Sequence, residues 1–373
     1  MMSTAPSPLQ QLIIERIQRE GPITFAEYMR MALYDPQYGY YTTGPAKMGW
    51  EGDYYTSSDV SNLFAHCLGR QLYQMWKHLR HPALFTVLEQ GAGRGQLAQE
   101  IRAWAQQEAP DLHAVLDYQN EDIRTGQDAI KHAASALTPS VILSNELVDA
   151  LPVHIVEKRE ARLYEVYVAA QPPGRLYEEL AEPSSPAIAG YLDDYKLPWT
   201  TFKDGWRAEI NLEALRWMER TTHLLTGPAP ARRRHGFLLT IDYGDKARAL
   251  YTPYRHQGTL ACYYRHQLTE RPLIRPGEQD ITAHVNFSAL INEGRRCGLR
   301  LHLFTTQRQW LTDLGIYDEL ERLRARDFSI IDSKRATDRG QIALLQWYNL
   351  RQRVTALTEP GGMGNFKVLI LKH

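Results

Sequence analysis

The sequence predicts an α/β fold, and three observations support this prediction. The stretch FTVLEQGAGRGQLAQEI, residues 85–101, joins a short apolar run, a glycine-rich turn and a helical pattern. Further apolar runs at residues 141–143, 237–241 and 366–371 have the length of buried strands. Amphipathic helical patterns lie between these runs. The expected architecture is therefore a sheet built from these strands, with helices packed against it.

The glycine turn indicates a ligand. Gly91, Gly93 and Gly95 follow the spacing G-x-G-x-G, which lets the backbone pass close to a bound molecule because no Cβ atoms intervene. Gln96 stands where a dinucleotide fingerprint needs its third glycine, and no G-K-[ST] of a phosphate loop follows. S-adenosylmethionine fits this pattern best. Another nucleotide, or a tight connection that binds nothing, stays open from the turn alone.

Composition excludes several classes of protein. The 43 basic and 43 acidic residues balance, so the whole chain has no global attraction for nucleic acid or anionic lipid. The three cysteines, Cys67, Cys262 and Cys297, are far apart, and neither a disulfide framework nor a metal site is expected. No run approaches the ~18 apolar residues of a membrane span. With no export signal evident, we expect a cytoplasmic, bacterial-type protein.

The N-terminal region predicts helices. Four apolar residues lie on one face of a predicted helix, namely Leu9, Leu12, Ile13 and Ile17, and Gly21 with Pro22 ends this helix. Thr24 with Glu27 forms a capping box for a second helix. Residues 34–41, YDPQYGYY, are expected to form a packed aromatic corner. A polar run at residues 49–61 then leads into an amphipathic helix over residues 60–79, for which Ser57, Ser58 or Asp59 are candidate N-caps.

The predicted strand at residues 141–143 is followed by polar groups. Asn145, Glu146 and Asp149 come directly after it. Two carboxylates three residues apart can hold a guanidinium group by charge-assisted hydrogen bonds. The alternative is a helix start with Asn145 as its N-cap and acidic residues in the first turn. The loop alone does not decide between these two interpretations.

The second half of the chain contains fewer signals. Residues 154–168 alternate like a hairpin, residues 171–201 are typical of an insertion, and a helix is expected over residues 206–225. Asp280 and His284 precede an apolar helix that begins near Phe287. His284 is interpreted either as a proton-transfer or orienting residue, or as a structural histidine.

Five segments in this order resemble the MidA family, whose mitochondrial members are the NDUFAF7-type complex I assembly factors. The resemblance covers residues 10 to 373. The segments are GDYYTSSDVSNLF, EQGAGRGQL, SNELVDALPVH, IDYG and DITAHVNFSAL.

The resemblance implies a class I methyltransferase with a Rossmann-like sheet, an N-terminal helical segment and an inserted lid subdomain. We assign residues 1–58 to the N-terminal helical and lid segment, 59–170 to the cofactor-binding core, 171–230 to the insertion and 231–373 to the rest of the core. The implied cofactor is S-adenosylmethionine, and the implied activity is methylation of protein arginine.

One position departs from the family pattern. After the second strand, Ile123, Arg124 and Gln127 match the family, which places Tyr118 where an acid binds the ribose hydroxyls of the cofactor. Asp117 and Glu121 are the acids that could replace it. The segment that follows is short, so the usual third strand is expected to be abbreviated or missing.

The site is predicted from these motifs as two groups of residues. Glu146, Asp149 and His284 are the candidate catalytic residues. The candidate cofactor-binding residues are Asp53, Thr56, Ser57, Glu89, Gly91, Gly93, Gly95, Asp117, Glu121 and Asn145. Ser57, Ser58 and Asp59 are expected to close over the site.

The expected partner is a protein substrate, with a complex I subunit as one candidate and no nucleic acid or membrane insertion. The oligomeric state stays open, a homodimer included. Two other functions stay open: a non-catalytic assembly chaperone and a small-molecule methyltransferase.

Overall fold

The computed structural model describes residues 6–43, 57–122, 138–227, 235–265, 267–334 and 338–373. The helices are α1 Pro8–Glu20, α2 Phe25–Tyr34, α3 Ser57–Val60, α4 Asn62–His78, α5 Gln96–Glu108, α6 Pro110–His113, α7 Pro186–Tyr191, α8 Leu212–Thr226, α9 Ala247–Leu250, α10 Phe287–Arg296, α11 Gln307–Asp313, α12 Ile316–Lys334 and α13 Asp338–Thr358. The strands are β1 Ile23–Thr24, β2 Phe85–Gln90, β3 Leu116–Glu121, β4 Val141–Asn145, β5 His154–Arg159, β6 Arg162–Gln171, β7 Arg175–Ala181, β8 Arg207–Ile210, β9 Phe237–Asp242, β10 Gly244–Asp245, β11 Ala261–Tyr264, β12 Gln267–Thr269, β13 Asp280–Thr282, β14 Val285–Asn286, β15 Arg300–Thr306 and β16 Lys367–Lys372.

A six-stranded sheet forms the centre of the fold, in the order β3-β2-β4-β9-β16-β15. Strands β3, β2, β4 and β9 are parallel to one another, and β16 is antiparallel to both of its neighbours. The α/β prediction is confirmed. From β2 the chain first adds β3 on one side and later β4 on the other. Open α/β sheets bind ligands at such a reversal, outside the carboxyl ends of the strands.

Apolar residues on both faces of this sheet explain why its strands are continuous hydrophobic runs. Val87 and Leu143 pack into a cluster with helices α4 and α5. Leu88 and Ile142, one residue along each strand, pack into a separate cluster with helices α8 and α10. Successive side chains of a strand point to opposite faces, so a parallel sheet covered on both sides needs apolar residues throughout.

A second sheet lies outside the central one. It contains β1, β6, β5 and β8 in that order, and β7 also pairs with β6. The predicted hairpin over residues 154–168 is confirmed by β5 and β6. The domain boundary proposed at residue 170 falls inside β6, and the remaining boundaries stay predictions.

Several local predictions can be compared directly with the structure. The capping box of Thr24 and Glu27 is present at the start of α2. The helix expected from residue 206 begins at Leu212, because residues 207–210 pair with β5 and Asn211 caps the helix. The N-cap of α4 is Ser61, so the expectation that Ser57, Ser58 or Asp59 caps this helix is wrong.

The outer edge of the central sheet, at β3, is where the strand expected to be abbreviated or missing would pair. Among the described residues, no strand pairs with the outer side of β3. Residues 123–137, which include the family matches Ile123, Arg124 and Gln127, lie outside the described part of the chain.

None of the described helices has the length and apolar character that crossing a bilayer requires.

Candidate functional site

The turn after β2 adopts a backbone conformation that requires glycine. Gly91, Gly93 and Gly95 have φ angles of 72°, 57° and 71°, which lie in the left-handed region. Most other residues pay roughly 1–2 kcal/mol for this conformation. A Cβ atom on Gly95 would also lie 2.6 Å from Nδ2 of Asn120. The spacing of the glycines therefore follows from the path of the chain at this turn.

Strand β3 holds this turn in place. The backbone amides of Gly91 and Ala92 donate to the carbonyl oxygen of Glu121, at 2.8 and 3.2 Å. The amide of Gly93 donates to the Asp122 carboxylate at 2.8 Å. Helix α5 starts immediately afterwards, and its N-cap Gly95 offers no side chain to the first backbone amides. The turn and the end of β3 thus form one rigid unit at the carboxyl edge of the sheet.

Three buried polar atoms at this edge lack a hydrogen-bond partner within the described part of the chain. They are Oε1 of Glu121, Oδ1 of Asn120 and Oδ1 of Asn145. The other carboxylate oxygen of Glu121 accepts from Nε2 of Gln90 at 3.0 Å. A buried acceptor without a donor costs about 1–3 kcal/mol. The hydroxyl and amino groups of a nucleoside cofactor would supply the missing donors, so these residues fit such a group.

The prediction that Tyr118 takes the place of the ribose-binding acid is wrong. Tyr118 pairs with Val87 in the middle of β3, whereas Glu121 pairs with Gln90 at the end of both strands. The tyrosine ring is buried in the core, with a relative accessibility of 4%. Glu121 is therefore the acid at the carboxyl end of the second strand of the central sheet.

Asp117 lies at the opposite end of β3. It pairs with Thr86, and its carboxylate accepts from Nε2 of Gln119 at 2.7 Å. Glu121 lies four positions further along the strand, which is roughly 13 Å at ~3.3 Å per residue. We therefore withdraw Asp117 from the candidate cofactor site.

Glu89 is buried near the end of β2, with a relative accessibility of 4%. Burial raises its pKa to about 8, although the hydrogen bond from Tyr118 lowers it. The phenol hydroxyl of Tyr118 lies 2.9 Å from Oε2 of Glu89. The assignment of Glu89 to the cofactor site stays a prediction.

Glu146 follows β4 directly and has a positive φ angle of 50°. A non-glycine residue in this region is uncommon, and such strain is typical of functional sites. Its carboxylate accepts from the backbone amide of Ser57 at 2.8 Å and from Nδ2 of Asn145 at 3.3 Å. The loop after β4 is thereby joined to the start of α3.

Ser57 forms hydrogen bonds to two different parts of the structure. Its backbone amide faces Glu146, while its hydroxyl donates to Oε1 of Gln307 at 3.2 Å. Asp53 and Thr56 lie outside the described residues, as do the side chains of Ser58 and Asp59. Of the three residues expected to close over the site, only Ser57 has a described side chain.

Asp149 is buried in the 3-10 turn Val148–Ala150. One carboxylate oxygen accepts from the hydroxyl of Tyr243, and the other, Oδ1, has no hydrogen-bond partner among the described residues. Burial raises the pKa of Asp149 to about 6, and the hydrogen bond from Tyr243 lowers it. The predicted helix start at Asn145 is wrong, because Asn145 is the last residue of β4.

Asp242 was not predicted as a site residue. Its carboxylate accepts from the amides of Val148 and Asp149, at 2.9 and 3.3 Å, and so fixes the turn that carries Asp149. Burial, followed by the charges of Asp149 and Glu146, raises the pKa of Asp242 well above its usual range. The sequence feature that could have identified Asp242 is its position at the end of a predicted strand, in the segment IDYG.

A cavity of about 590 Å³ opens beside Glu146 and Asp149. Its volume lies in the range of small-molecule and side-chain pockets. The charged residues that line it are Glu146, Asp149, Asp245, Arg255 and Asp280, and the aromatic residues are Tyr41, Tyr243, Tyr263 and Phe366. The cavity therefore combines several carboxylates with aromatic walls.

His284 lines the same cavity. Its Nδ1 lies 3.3 Å from Nη1 of Arg255. Because a guanidinium group only donates hydrogen bonds, Nδ1 is the acceptor and the neutral ring carries its proton on Nε2. Burial, followed by the charge of Arg255, lowers the pKa of His284 to about 4. A neutral ring engaged at Nδ1 is poorly suited to accept a proton from a substrate.

No group of three or more His, Cys, Asp or Glu side chains is arranged for a metal ion within the ranges that the structure describes. The site therefore consists of the glycine turn, the end of β3, the loop after β4 and the carboxylate-lined cavity.

Comparison with known proteins identifies the family of the chain. The model of the Methyltransf_28 family, which describes S-adenosyl-L-methionine-dependent methyltransferases, matches residues 67–305. The mitochondrial protein arginine methyltransferase NDUFAF7 homolog of Drosophila melanogaster is 29% identical, over 73% of this chain and 66% of the fly protein. The rat protein arginine methyltransferase NDUFAF7 is 27% identical, over 83% of this chain and 74% of its own length.

A solved structure is also similar over nearly the whole chain. The crystal structure of a Burkholderia thailandensis protein bound to S-adenosyl-homocysteine superposes with a TM-score of 0.80 at 27% identity. The match covers 99% of this chain and 95% of that protein. The native crystal structure of a protein from the same organism gives a TM-score of 0.78 at 26% identity.

Proposed function

The chain belongs to the Methyltransf_28 family of S-adenosyl-L-methionine-dependent methyltransferases, and from this premise we propose that it methylates arginine side chains of a protein substrate. The observation that carries the proposal is the pair of carboxylates, Glu146 and Asp149, on the wall of one cavity. The names of the fly and rat relatives, which are protein arginine methyltransferases, support the choice of arginine.

The cofactor site is proposed from the residues with unsatisfied atoms. Glu121 would hold the ribose hydroxyls of S-adenosylmethionine, and Asn120 and Asn145 offer two more buried acceptors. The turn of Gly91, Gly93 and Gly95 would pass beside it. When bound, the cofactor supplies an activated methyl group on a sulfonium ion.

The cavity has the chemistry that a guanidinium group requires. Carboxylates bind its N–H groups by strong charge-assisted hydrogen bonds, and aromatic faces attract its positive charge. Asp149 lines the cavity, and its buried Oδ1 lacks a hydrogen-bond partner among the described residues. Glu146 is held by the amide of Ser57 and so presents its carboxylate in a fixed direction.

These two residues would act by binding and orientation. Glu146 and Asp149 would concentrate the positive charge on two nitrogens of the guanidinium and leave the third nitrogen directed at the methyl group. The nitrogen held in this way would accept the methyl group as the sulfur–carbon bond breaks, and it would then release one proton to a carboxylate or to water. Holding the reacting atoms in line supplies most of the rate enhancement, and no covalent intermediate is needed.

The structure weakens the main argument for a non-catalytic chaperone. That alternative depended on the loss of the ribose-binding acid at Tyr118, and Glu121 occupies the end of the strand instead. A small-molecule methyltransferase is the remaining alternative. A complex I subunit stays one predicted candidate for the protein substrate. The cytoplasmic location also stays a prediction.

The proposal is tested by transfer of a labelled methyl group from S-adenosylmethionine to synthetic peptides that contain arginine, with the same peptides containing lysine as the comparison. We expect arginine-specific labelling that falls roughly 10-fold to 100-fold in Glu146→Gln and in Asp149→Asn, because each loses a charge-assisted hydrogen bond worth about 1.5–3 kcal/mol. Glu359→Gln, an exposed glutamate, is the control. Full activity of Glu146→Gln, or labelling of lysine peptides alone, would contradict the proposal.

A further inference from the structure

We infer that Arg255 binds a carboxylate group of the substrate next to the arginine that is methylated, an inference that rests on the proposed function. Arg255 lines the same cavity as Glu146 and Asp149. The cavity would thus bind a cation through its carboxylates and an anion through the positively charged Arg255.

The guanidinium of Arg255 has no acidic partner in the described part of the chain. Its only hydrogen bond there is to Nδ1 of His284, at 3.3 Å. Asp245, another acid of the cavity, is paired with Lys367, whose Nζ lies 3.4 Å from its carboxylate. A guanidinium group in an acid-rich cavity would ordinarily be paired with one of these carboxylates. Arg255 keeps its charge available for a ligand.

The neighbour of Arg255 does not neutralise its charge. His284 is half-buried and uncharged at neutral pH, since its pKa is lowered to about 4. The hydrogen bond uses one of the five N–H donors of the guanidinium. The ring therefore orients Arg255 and leaves the other donors for an anion.

The segment that carries Arg255 is fixed before any substrate binds. The buried carboxylate of Glu209 accepts from the amide and hydroxyl of Thr259, at 2.9 and 2.8 Å, and from the amide of Leu260 at 3.1 Å. The hydroxyl of Thr259 in turn accepts from the amide of His284 at 3.0 Å. One buried acid thus holds both the loop after Arg255 and the histidine that orients it. Such support is typical of binding residues rather than of solvent-exposed charges.

A carboxylate is the anion that these features favour. A guanidinium binds a carboxylate through two parallel hydrogen bonds, and a substrate peptide offers carboxylates in two ways. One is the side chain of an aspartate or glutamate near the methylated arginine, and the other is the free carboxyl terminus of the chain. Both would reach Arg255 while the substrate arginine lies against Glu146 and Asp149.

The experiment compares four peptides with one central arginine. The residues flanking this arginine are either aspartate or asparagine, and the C-terminus is either free or amidated. Labelled methyl transfer is measured as kcat/KM for the wild-type protein, Arg255→Gln and Arg255→Lys. Arg308→Gln, an exposed arginine on α11, is the matched control.

We expect a preference of roughly 10-fold or more for a carboxylate-bearing peptide, as one hydrogen-bonded charge contributes about 1.5–3 kcal/mol. The preference should disappear in Arg255→Gln, return in part in Arg255→Lys and persist in Arg308→Gln. Whether flanking aspartate or the free terminus gives the preference identifies the source of the carboxylate.

Two results would overturn the inference and leave the proposed function intact: equal labelling of all four peptides, or a preference that Arg255→Gln retains. If no arginine peptide is labelled, the proposed function fails, and fluorescence anisotropy of the same peptides then decides the inference. Tighter binding of carboxylate-bearing peptides that is lost in Arg255→Gln would support it. Equal binding of all four peptides, or no binding, would overturn it.

Discussion

The phenol hydroxyl of Tyr118 lies 2.9 Å from the carboxylate of Glu89, so two neighbouring parallel strands share a buried hydrogen bond between their side chains. The same two residues explain why the sequence was misinterpreted at this position. Tyr118 is a core residue of β3 that satisfies a buried acid, and the acid at the carboxyl end of the strand, Glu121, comes three residues later.

Replacement of Glu89 by glutamine should change how stability depends on pH. Burial raises the pKa of Glu89 from 4.5 to about 8. A raised pKa stabilises the fold below the unfolded value and loses that contribution as pH rises through the folded one. The free energy of unfolding of the wild-type protein should therefore fall between about pH 5 and 9. In Glu89→Gln this fall should be smaller by more than ~1 kcal/mol. Thermal unfolding across this pH range measures it.

The exposed Glu359→Gln variant is the control for this experiment and should keep the wild-type pH dependence. A Glu89→Gln protein with the same decline as wild type would show that Glu89 is already ionised in the folded state.

The two acids of β3 should differ sharply in cofactor binding. Glu121 has a buried oxygen without a partner at the carboxyl end of the strand, whereas Asp117 lies at the other end. Glu121→Gln should weaken binding of S-adenosylmethionine about 10-fold to 100-fold, since a hydrogen bond to a charged group contributes roughly 1.5–3 kcal/mol. Asp117→Asn should leave the affinity unchanged. Calorimetric titration measures both, and the reverse order would restore Asp117 to the site.

The glycine turn can be tested against a glycine that has the same strain elsewhere. Gly95 has φ of 71°, and a Cβ there would lie 2.6 Å from Asn120. Gly205 has φ of 85° and open space around it. Each alanine variant should lose about 1 kcal/mol of stability through its backbone. Only Gly95→Ala should also lose cofactor affinity, because Asn120 and the turn must shift. Equal affinities in both variants would contradict this role of the turn.

The acid limb of the activity profile should depend on Tyr243. Asp149 must be ionised to bind a guanidinium, and its pKa is raised by burial to about 6. kcat/KM should therefore fall as pH drops through about 6. The hydroxyl of Tyr243 stabilises the ionised form, so Tyr243→Phe should move this limb to higher pH. Tyr263→Phe, in the same cavity, should leave it in place. A limb that does not move would mean that another group controls the profile.

Much of the fold followed from the sequence alone, because the signals are local. The apolar runs at residues 85–90 and 237–242 are strands, and the capping box of Thr24 and Glu27 starts α2 as expected. The first residues of helices were harder to predict from the sequence. Residues 207–210 became a strand since they pair with β5, a contact more than forty residues away in sequence.

The sequence by itself also determined the glycine turn, the two acids after β4 and the family, because each is a short pattern of residue types. Only the tertiary structure decided which acids share a surface. Strand register placed Glu121 at the carboxyl edge of the sheet and Asp117 and Tyr118 away from it, and packing brought Arg255 and His284 to the cavity of Glu146 and Asp149. Register and packing depend on long-range contacts, and residue spacing along the chain does not encode those distances.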